Sequence, residues 1–393
     1  IMLYILFKKK YTGGKKMKDY YRWAKEFSDK HIAPYADEID REGKFPKEIF
    51  DKIAEEGFFK ILVPKEFGGE GAGIKEHAQV KQAFAEGTAT AGLCYTMSNV
   101  ALKFTLTFGR DEIKQQVVKD IMENNKFMSL ARSEFGTGVH VFNSQMQVEN
   151  HEDYSIMNGS KSMITSANYA SYYLISVPAD EKRGPVNWLV PYGTEGLEFS
   201  ESDWKGLGMR GNNSCPMHMK DMKLDNKYAI YIDRQKANQK YPVNIDVIYF
   251  MAGLTAVYTG LGKTIYEAAK AHALNRKYPG DKTLANIETV LLHISHLFNN
   301  SFVAESALNA ATEAMANEEP DAFEKIMTAR VTASLNCVDS ANLGMRIGGG
   351  AAYNSKGPLS RLMRDALAAP VMFPSVDVLR NWVGKIITGQ NLM

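Results

Sequence analysis

The sequence predicts a mainly α-helical protein with a small β domain at its centre. Three observations carry that prediction. Apolar residues recur at helical spacing in the N-terminal part. Between about residues 129 and 233 the chain turns to short runs of Val, Ile, Tyr and Met broken by Asn, Asp and Gly. After Pro242, long Ala- and Leu-rich stretches follow. The 393 residues are enough for two or three domains with sizeable cores.

Residues 1–16 read as an upstream extension or tail, with Met17 as the start. The apolar run Ile1–Phe7 is too short to span a bilayer, and Lys8-Lys9-Lys10 follows it, the reverse of a signal peptide. Residues 17–128 form an N-terminal helical domain. Tyr20, Trp23, Ala24, Phe27 and Ile32 mark one apolar face; Ile49, Ile53, Phe58 and Phe59 mark a second, after Phe45-Pro46. Pro64, Gly68 and Gly69 break the pattern into a turn, and helical periodicity returns over 75–125. Residues 129–240 form the β domain, with Tyr172–Val177 and Val186–Val190 as clear strands. Residues 241–393 form a helical domain, with helices over 245–275, 281–317 and 321–344 in an antiparallel bundle.

Composition excludes several functions. A net charge of +2 gives no electrostatic basis for binding nucleic acid, and no segment reads as a membrane span. Three dispersed cysteines, Cys94, Cys215 and Cys337, form neither a metal spacing nor a disulfide framework, which fits a reducing cytoplasm. His293 and His296 stand three apart but lack further ligands, so no metal is expected. No G-x-G-x-x-G opens a βαβ unit, which argues against a Rossmann nucleotide site.

Six separated motifs, Pro34–Asp40 with Phe45-Pro46 and Val63–Gly69, Ser133–Gly138, Asn158–Ala167, Leu207–Ser214, Leu274–Gly280 and Arg346–Tyr353, resemble in order and spacing those of the acyl-CoA dehydrogenase family of FAD flavoproteins. The resemblance runs from about residue 18 to the C-terminus. It implies an N-terminal helical domain, a middle β-barrel or sandwich and a C-terminal four-helix bundle. Pro34–Asp40, Phe45-Pro46 and Val63–Gly69 match the family's N-terminal signature. Ser133-Glu134-Phe135-Gly136-Thr137-Gly138 resembles a loop along the flavin ring, with Ser133 bonded to the isoalloxazine and Gly136 and Gly138 allowing close approach. Val139-His140 stand where the family has Ser-Asp. Asn158–Ala167 resembles a segment whose Thr165 reaches flavin N5 and whose Met163 replaces a tryptophan shielding the flavin. Leu207–Ser214 matches a strand–turn element whose Arg210 serves the turn or the substrate. Arg276, in Leu274–Gly280, stands where relatives reach the FAD diphosphate across a subunit interface, or else is an ordinary helix-end arginine. Arg346–Tyr353 resembles the segment that meets the adenosine half of FAD, through Arg346, Gly349 and Gly350. Ser375 joins these implied cofactor contacts.

Arg364-Asp365-Ala366 then fixes the register for the catalytic base. Relatives place a glutamate at one of two positions, and here these hold Phe373 and Phe250; Met251 stands where an arginine is common. The nearest carboxylates are Asp377 and Asp246. Asp377 is the candidate base, with a helix cap or cofactor contact as the alternative. Phe250, Met251, Met372 and Phe373 together suggest an apolar substrate wall and a hydrophobic acyl or aromatic substrate, unless they are core residues.

The resemblance implies an FAD-dependent oxidoreductase acting on the CH–CH group of an acyl-CoA thioester, in either direction. Electron-transfer flavoprotein or another acceptor would serve as partner, and the chain would assemble as a homotetramer or homodimer. Two alternatives stay open: other flavin chemistry on the same scaffold, such as monooxygenation or desulfinase-type elimination, and a non-catalytic flavoprotein or assembly partner.

Overall fold

The computed structural model describes residues 18–138, 143–235, 237, 240–280, 282–354 and 357–392. The expectations for residues 1–16 and for Val139-His140 lie outside the described residues.

The N-terminal part is helical: α1 (Tyr20–His31), α2 (Ala36–Glu42), α3 (Lys47–Glu55), α4 (Ile74–Gly87), α5 (Ala89–Phe108) and α6 (Asp111–Asn124). Asp19 caps α1, its carboxylate accepting the Arg22 amide at 3.0 Å. The apolar face of α1 enters an aromatic cluster in which Trp23 stacks on Phe58 at 3.7 Å between ring centroids, and Phe58 meets Phe27 and Phe84 edge-on. The Val63–Gly69 turn needs its glycines: Gly68 has φ +81°, and a Cβ on Gly69 would lie 2.2 Å from the Val63 carbonyl oxygen.

Eight strands follow: β1 (Met128–Ala131), β2 (Gln147–Asn150), β3 (Tyr154–Ile164), β4 (Tyr172–Ser176), β5 (Val186–Pro191), β6 (Leu197–Phe199), β7 (Cys215–Asp225) and β8 (Ala229–Tyr231). They form two four-stranded sheets, ordered β1-β4-β5-β8 and β2-β3-β7-β6. Only the β1–β4 pair among these is parallel. Inward-facing Trp188, Ile175 and Val190 of one sheet share a core with Met157, Met217 and Met219 of the other, which makes the domain a sandwich.

The C-terminal part holds α7 (Ile245–Asn275), α8 (Glu288–Ala316), α9 (Ala322–Tyr353), α10 (Pro358–Ala366) and α11 (Val376–Ile387). The glycine triplet does not end α9. Its axis breaks at Gly349 (φ 53°, ψ −141°), a conformation open to glycine, and the helix resumes to Tyr353. α7 is long and apolar enough to cross a membrane, but its most apolar window is 94% buried, because α4, α5, α8 and α9 pack around it. It is apolar on all sides because it is the central helix of the fold.

Candidate active site

A cleft of about 510 Å³ opens between the sandwich and the helices. Its β-side wall presents Ser133, after β1, together with Met163, Thr165 and Ser214 from the facing ends of β3 and β7. Its helical wall presents Leu93 and Met97 of α5, Asp246, Val247 and Phe250 of α7, and Met372 and Phe373 from the segment joining α10 to α11.

The β-side wall is fixed by hydrogen bonds. The Thr165 and Ser214 hydroxyls lie 2.9 Å apart, and the Ser129 hydroxyl donates to the Thr165 carbonyl. The Ser162 amide donates to the Ser133 carbonyl at 2.8 Å. Beside Ser133, Glu134 accepts from Lys161 Nζ at 2.5 Å, the Ser144 hydroxyl at 2.6 Å and the Gln145 amide at 2.7 Å. Burial opposes ionisation of Glu134, but these donors outweigh it and hold its carboxyl below the ordinary range. Ser166 and Asn213 flank the hydroxyl pair in the left-handed region, at φ 59° and 46°, a strain that concentrates at functional sites.

The Leu207–Ser214 element closes the cleft from the side. A Cβ on Gly208 would sit 2.2 Å from the Arg364 carbonyl oxygen, so only glycine lets this turn dock on α10. The Met209 amide donates to Asp365 Oδ1 at 2.6 Å, and Arg364 forks onto both oxygens of Asp40 while also donating to the Leu207 carbonyl at 3.1 Å. Burial pushes the Asp365 carboxyl up to about 6, with the Met209 amide and Arg361 working against it. Arg-Asp-Ala is therefore a clamp joining three parts of the chain.

The helical wall carries an ion pair. Arg132 Nη1 and Asp246 Oδ2 are 2.6 Å apart, with 12% and 1% of their side chains exposed. Asp246 Oδ1 and Arg132 Nε make no well-formed hydrogen bond. Burial lifts the Asp246 carboxyl above the ordinary range; Arg132 opposes this most, and the amides of Asp246 and Val247 add a smaller pull toward ionisation.

The structure brings together Ser133, Met163, Thr165, Phe250, Met372 and Phe373 on the cleft. It does not bring Met251 there. One residue past Phe250 on a helix is a turn of about 100°, and Met251 is fully buried in the core behind α7. Asp377 is exposed in the first turn of α11 and does not line the cleft. Pro374 and Ser375 start that helix, the Ser375 hydroxyl accepting from the Val378 amide at 3.3 Å. Ser375 is thus an N-cap, and Asp377 lies outside the cleft. Gly136 packs on Gln145, whereas a Cβ on Gly138 would meet nothing. Arg276, Arg346, Gly349 and Gly350 are exposed on the bundle, outside the cleft. The sequence reading missed Arg132 altogether and passed over Asp246. The available signal was spacing: four residues before Phe250 places Asp246 on the same helical face.

Comparison with known proteins agrees across the chain. The acyl-CoA dehydrogenase N-terminal, middle and C-terminal domain families match residues 16–125, 129–222 and 251–388. The chain is 27% identical over 354 residues to 3-(aryl)acrylate reductase of Clostridium sporogenes, covering 87% of this chain and 90% of that protein. It is 24% identical to the caffeyl-CoA reductase–Etf complex subunit CarC of Acetobacterium woodii, again covering 87% and 90%. Butyryl-CoA dehydrogenase from Megasphaera elsdenii has the same fold, with a TM-score of 0.86 over 96% of this chain and 100% of that one, at 18% identity.

Proposed function

We propose, from the premise that this chain belongs to the acyl-CoA dehydrogenase family of FAD-dependent oxidoreductases, that it reduces the C=C bond of apolar, aryl-bearing α,β-unsaturated acyl substrates. The observation that carries this reading is the composition of the cleft. Phe250, Phe373 and Met372 face the β-side wall, with Leu93, Met97 and Leu130 completing an apolar pocket. Rings of this kind favour a flat aromatic acyl group by burial and edge or face contact. Phe373 itself is held edge-on against Trp382 of α11, with ring centroids 6.3 Å apart. The names of two relatives, an arylacrylate reductase and a caffeyl-CoA reductase subunit, support both the substrate class and the direction.

The β-side wall fits an isoalloxazine. Thr165 and Ser214 present paired hydroxyls, Ser133 lines the same wall, and Met163, 65% exposed, offers apolar surface for a flat ring to cover. FAD, when bound, supplies hydride chemistry at its N5 atom. The chain would hold the substrate against that wall and exclude water with its apolar side chains. Electron-transfer flavoprotein is the electron donor we favour, supported by the Etf complex to which the A. woodii relative belongs.

Arg276, Arg346, Gly349 and Gly350 suit the diphosphate and adenosine half of FAD only if a second copy contributes them. An exposed apolar face on α8, with Leu291, Leu292, Phe298 and Phe302, supports a homotetramer or homodimer. Three unpaired, buried cysteines support a reducing compartment, the cytoplasm.

The test is anaerobic. Dithionite-reduced, FAD-loaded protein is mixed with cinnamoyl-CoA, free cinnamate and crotonyl-CoA, and flavin reoxidation is followed by absorbance. Fast reoxidation by the cinnamoyl compounds, with crotonyl-CoA at least tenfold slower, is expected. Turnover confined to short aliphatic thioesters refutes the aryl assignment. Reoxidation by free cinnamate alone moves the substrate from thioesters to free acids.

A further inference from the structure

We propose that Asp246 is the catalytic residue that exchanges a proton with the substrate α-carbon, and that Arg132 is its positioning residue. The inference rests on the oxidoreductase reading above. Both glutamate positions implied by the family hold phenylalanine, so the scaffold needs another proton carrier or has none.

Four observations point to this pair. Asp246 is the one carboxylate lining the cleft among the described residues. It lies four residues before Phe250 on α7, on the same face and about 6 Å along the axis. Phe250 occupies one of the two glutamate positions, so an acid one turn away addresses the same region of the cleft. Asp246 is held by a single strong partner: Oδ2 is fixed on Arg132 at 2.6 Å, while Oδ1 is buried with no well-formed hydrogen bond, an unpartnered oxygen beside the cleft. Finally, Arg132 leaves the β domain one residue before Ser133 of the flavin wall, and the Phe104 ring lies 5.7 Å from its guanidinium carbon. The ion pair therefore ties the proton carrier to the wall that positions the cofactor.

The charged groups lining the cleft, among the described residues, are Arg132, Asp246 and Arg364. Arg364 is committed to Asp40, so Arg132 is the charge that faces Asp246. Burial of Asp246 also keeps its carboxyl above the ordinary range, the direction that favours the protonated form a general acid needs.

In the reductive direction bound FAD, in its reduced form, would supply a hydride, two electrons and one proton, to Cβ. The C=C π pair shifts to Cα, the Asp246 O–H bond breaks and a Cα–H bond forms. Asp246 is left as carboxylate against Arg132, and solvent restores its proton between turnovers. Dehydrogenation runs the same steps backward, with Asp246 as base.

The experiment uses the full-length, FAD-loaded enzyme and the variants D246N, D246E, R132K and R132M. Two readouts are followed: reduction of cinnamoyl-CoA, and deuterium wash-in at Cα of 3-phenylpropanoyl-CoA in D2O by NMR. D246N is expected to lose both by 100-fold or more while keeping its FAD content. D246E, which keeps the charge and lengthens the arm, is expected to retain part of each. Reductive kcat of the wild type should fall as pH rises through the Asp246 pKa; R132K should partly rescue the loss seen in R132M and shift that limb. D246N within threefold of wild type in either readout overturns the proposal, as does a pH limb unmoved in both Arg132 variants. Wild-type α-proton exchange, lost in D246N, without any turnover supports the proton assignment and defeats the reductase reading instead.

Discussion

Replacing Lys161 with Met tests how the β-side wall of the cleft is held. Lys161 is on β3, fully buried, and donates to Glu134 Oε1 at 2.5 Å and to the Ser176 carbonyl at 2.5 Å. The substitution keeps most of the side-chain volume and removes the ammonium. Glu134 then retains the Ser144 and Gln145 donors but loses its counter-charge inside the protein. Removing one partner of a buried pair costs about 3–5 kcal/mol, and the two remaining donors favour the lower end. With an unfolding entropy of about 2.1 cal/mol/K per residue, a chain of 393 residues converts 3–4 kcal/mol into a Tm decrease of roughly 4–5 °C. Scanning calorimetry measures this, alongside E134Q and K161M/E134Q. Because E134Q removes the stranded charge, the double variant should be more stable than K161M alone, with a coupling of about 2 kcal/mol. Lowered FAD occupancy is expected too, because Glu134 is the anchor next to Ser133. The pH dependence has a definite sign. Glu134 is held below its ordinary value of 4.5, so its contribution is complete above that pH and is lost as pH falls through the lower folded value. The acid limb of wild-type stability should therefore be shallower in K161M. A K161M protein within 1 °C of wild type, or strict additivity in the double variant, refutes this account.

Four further substitutions have expected outcomes. Gly208→Ala places a Cβ 2.2 Å from the Arg364 carbonyl oxygen; the turn must shift from α10, at a cost of about 1–3 kcal/mol, read by urea denaturation. Gly350→Ala adds a methyl in open space within a helix and should leave stability unchanged or raise it by about 0.5–1 kcal/mol, whereas Gly349→Ala, at φ 53°, should cost about 1–2 kcal/mol. If Gly350→Ala nonetheless weakens FAD binding by titration, the backbone there approaches the cofactor. Asp365→Asn should gain on wild type as pH rises from about 4 to about 6 and keep a constant advantage above that, by thermal shift. The carboxyl folded at about 6 is costly when ionised, so its penalty is absent well below the unfolded value and complete above the folded one.

The architecture was legible because it rests on local signals. Trp23 and Phe27, Tyr172–Val177 and the long stretches after Pro242 fix their elements by periodicity, and the glycine turn at 68–69 by steric need. The candidate site was legible where the motif is continuous in sequence, as at Ser133, Met163 and Thr165. It was illegible where neighbours in sequence diverge in space. Phe250 and Met251 are adjacent, yet one faces the cleft and the other the core. Asp377 follows Phe373 by four residues, but Pro374 and Ser375 begin a new helix between them. The Arg132–Asp246 pair spans two domains, and α7 is apolar on every side, so no amphipathic stripe marks the face on which Asp246 stands.

The placement of α7 bears on how such a scaffold changes its chemistry. Ile248, Met251 and Ala252 lock the first turns into the N-terminal core, while Leu254, Val257, Leu261 and Ile265 lock the rest into the bundle. Few α7 side chains meet the cleft, and Phe250 is only partly buried. Stability and reactivity are thus assigned to different faces of one rod. Phe250 meets the cleft on one side and both cores on the other, so a substitution there disturbs packing less than one at the fully buried Met251. The same separation makes this helix a practical place to install new reactivity by design.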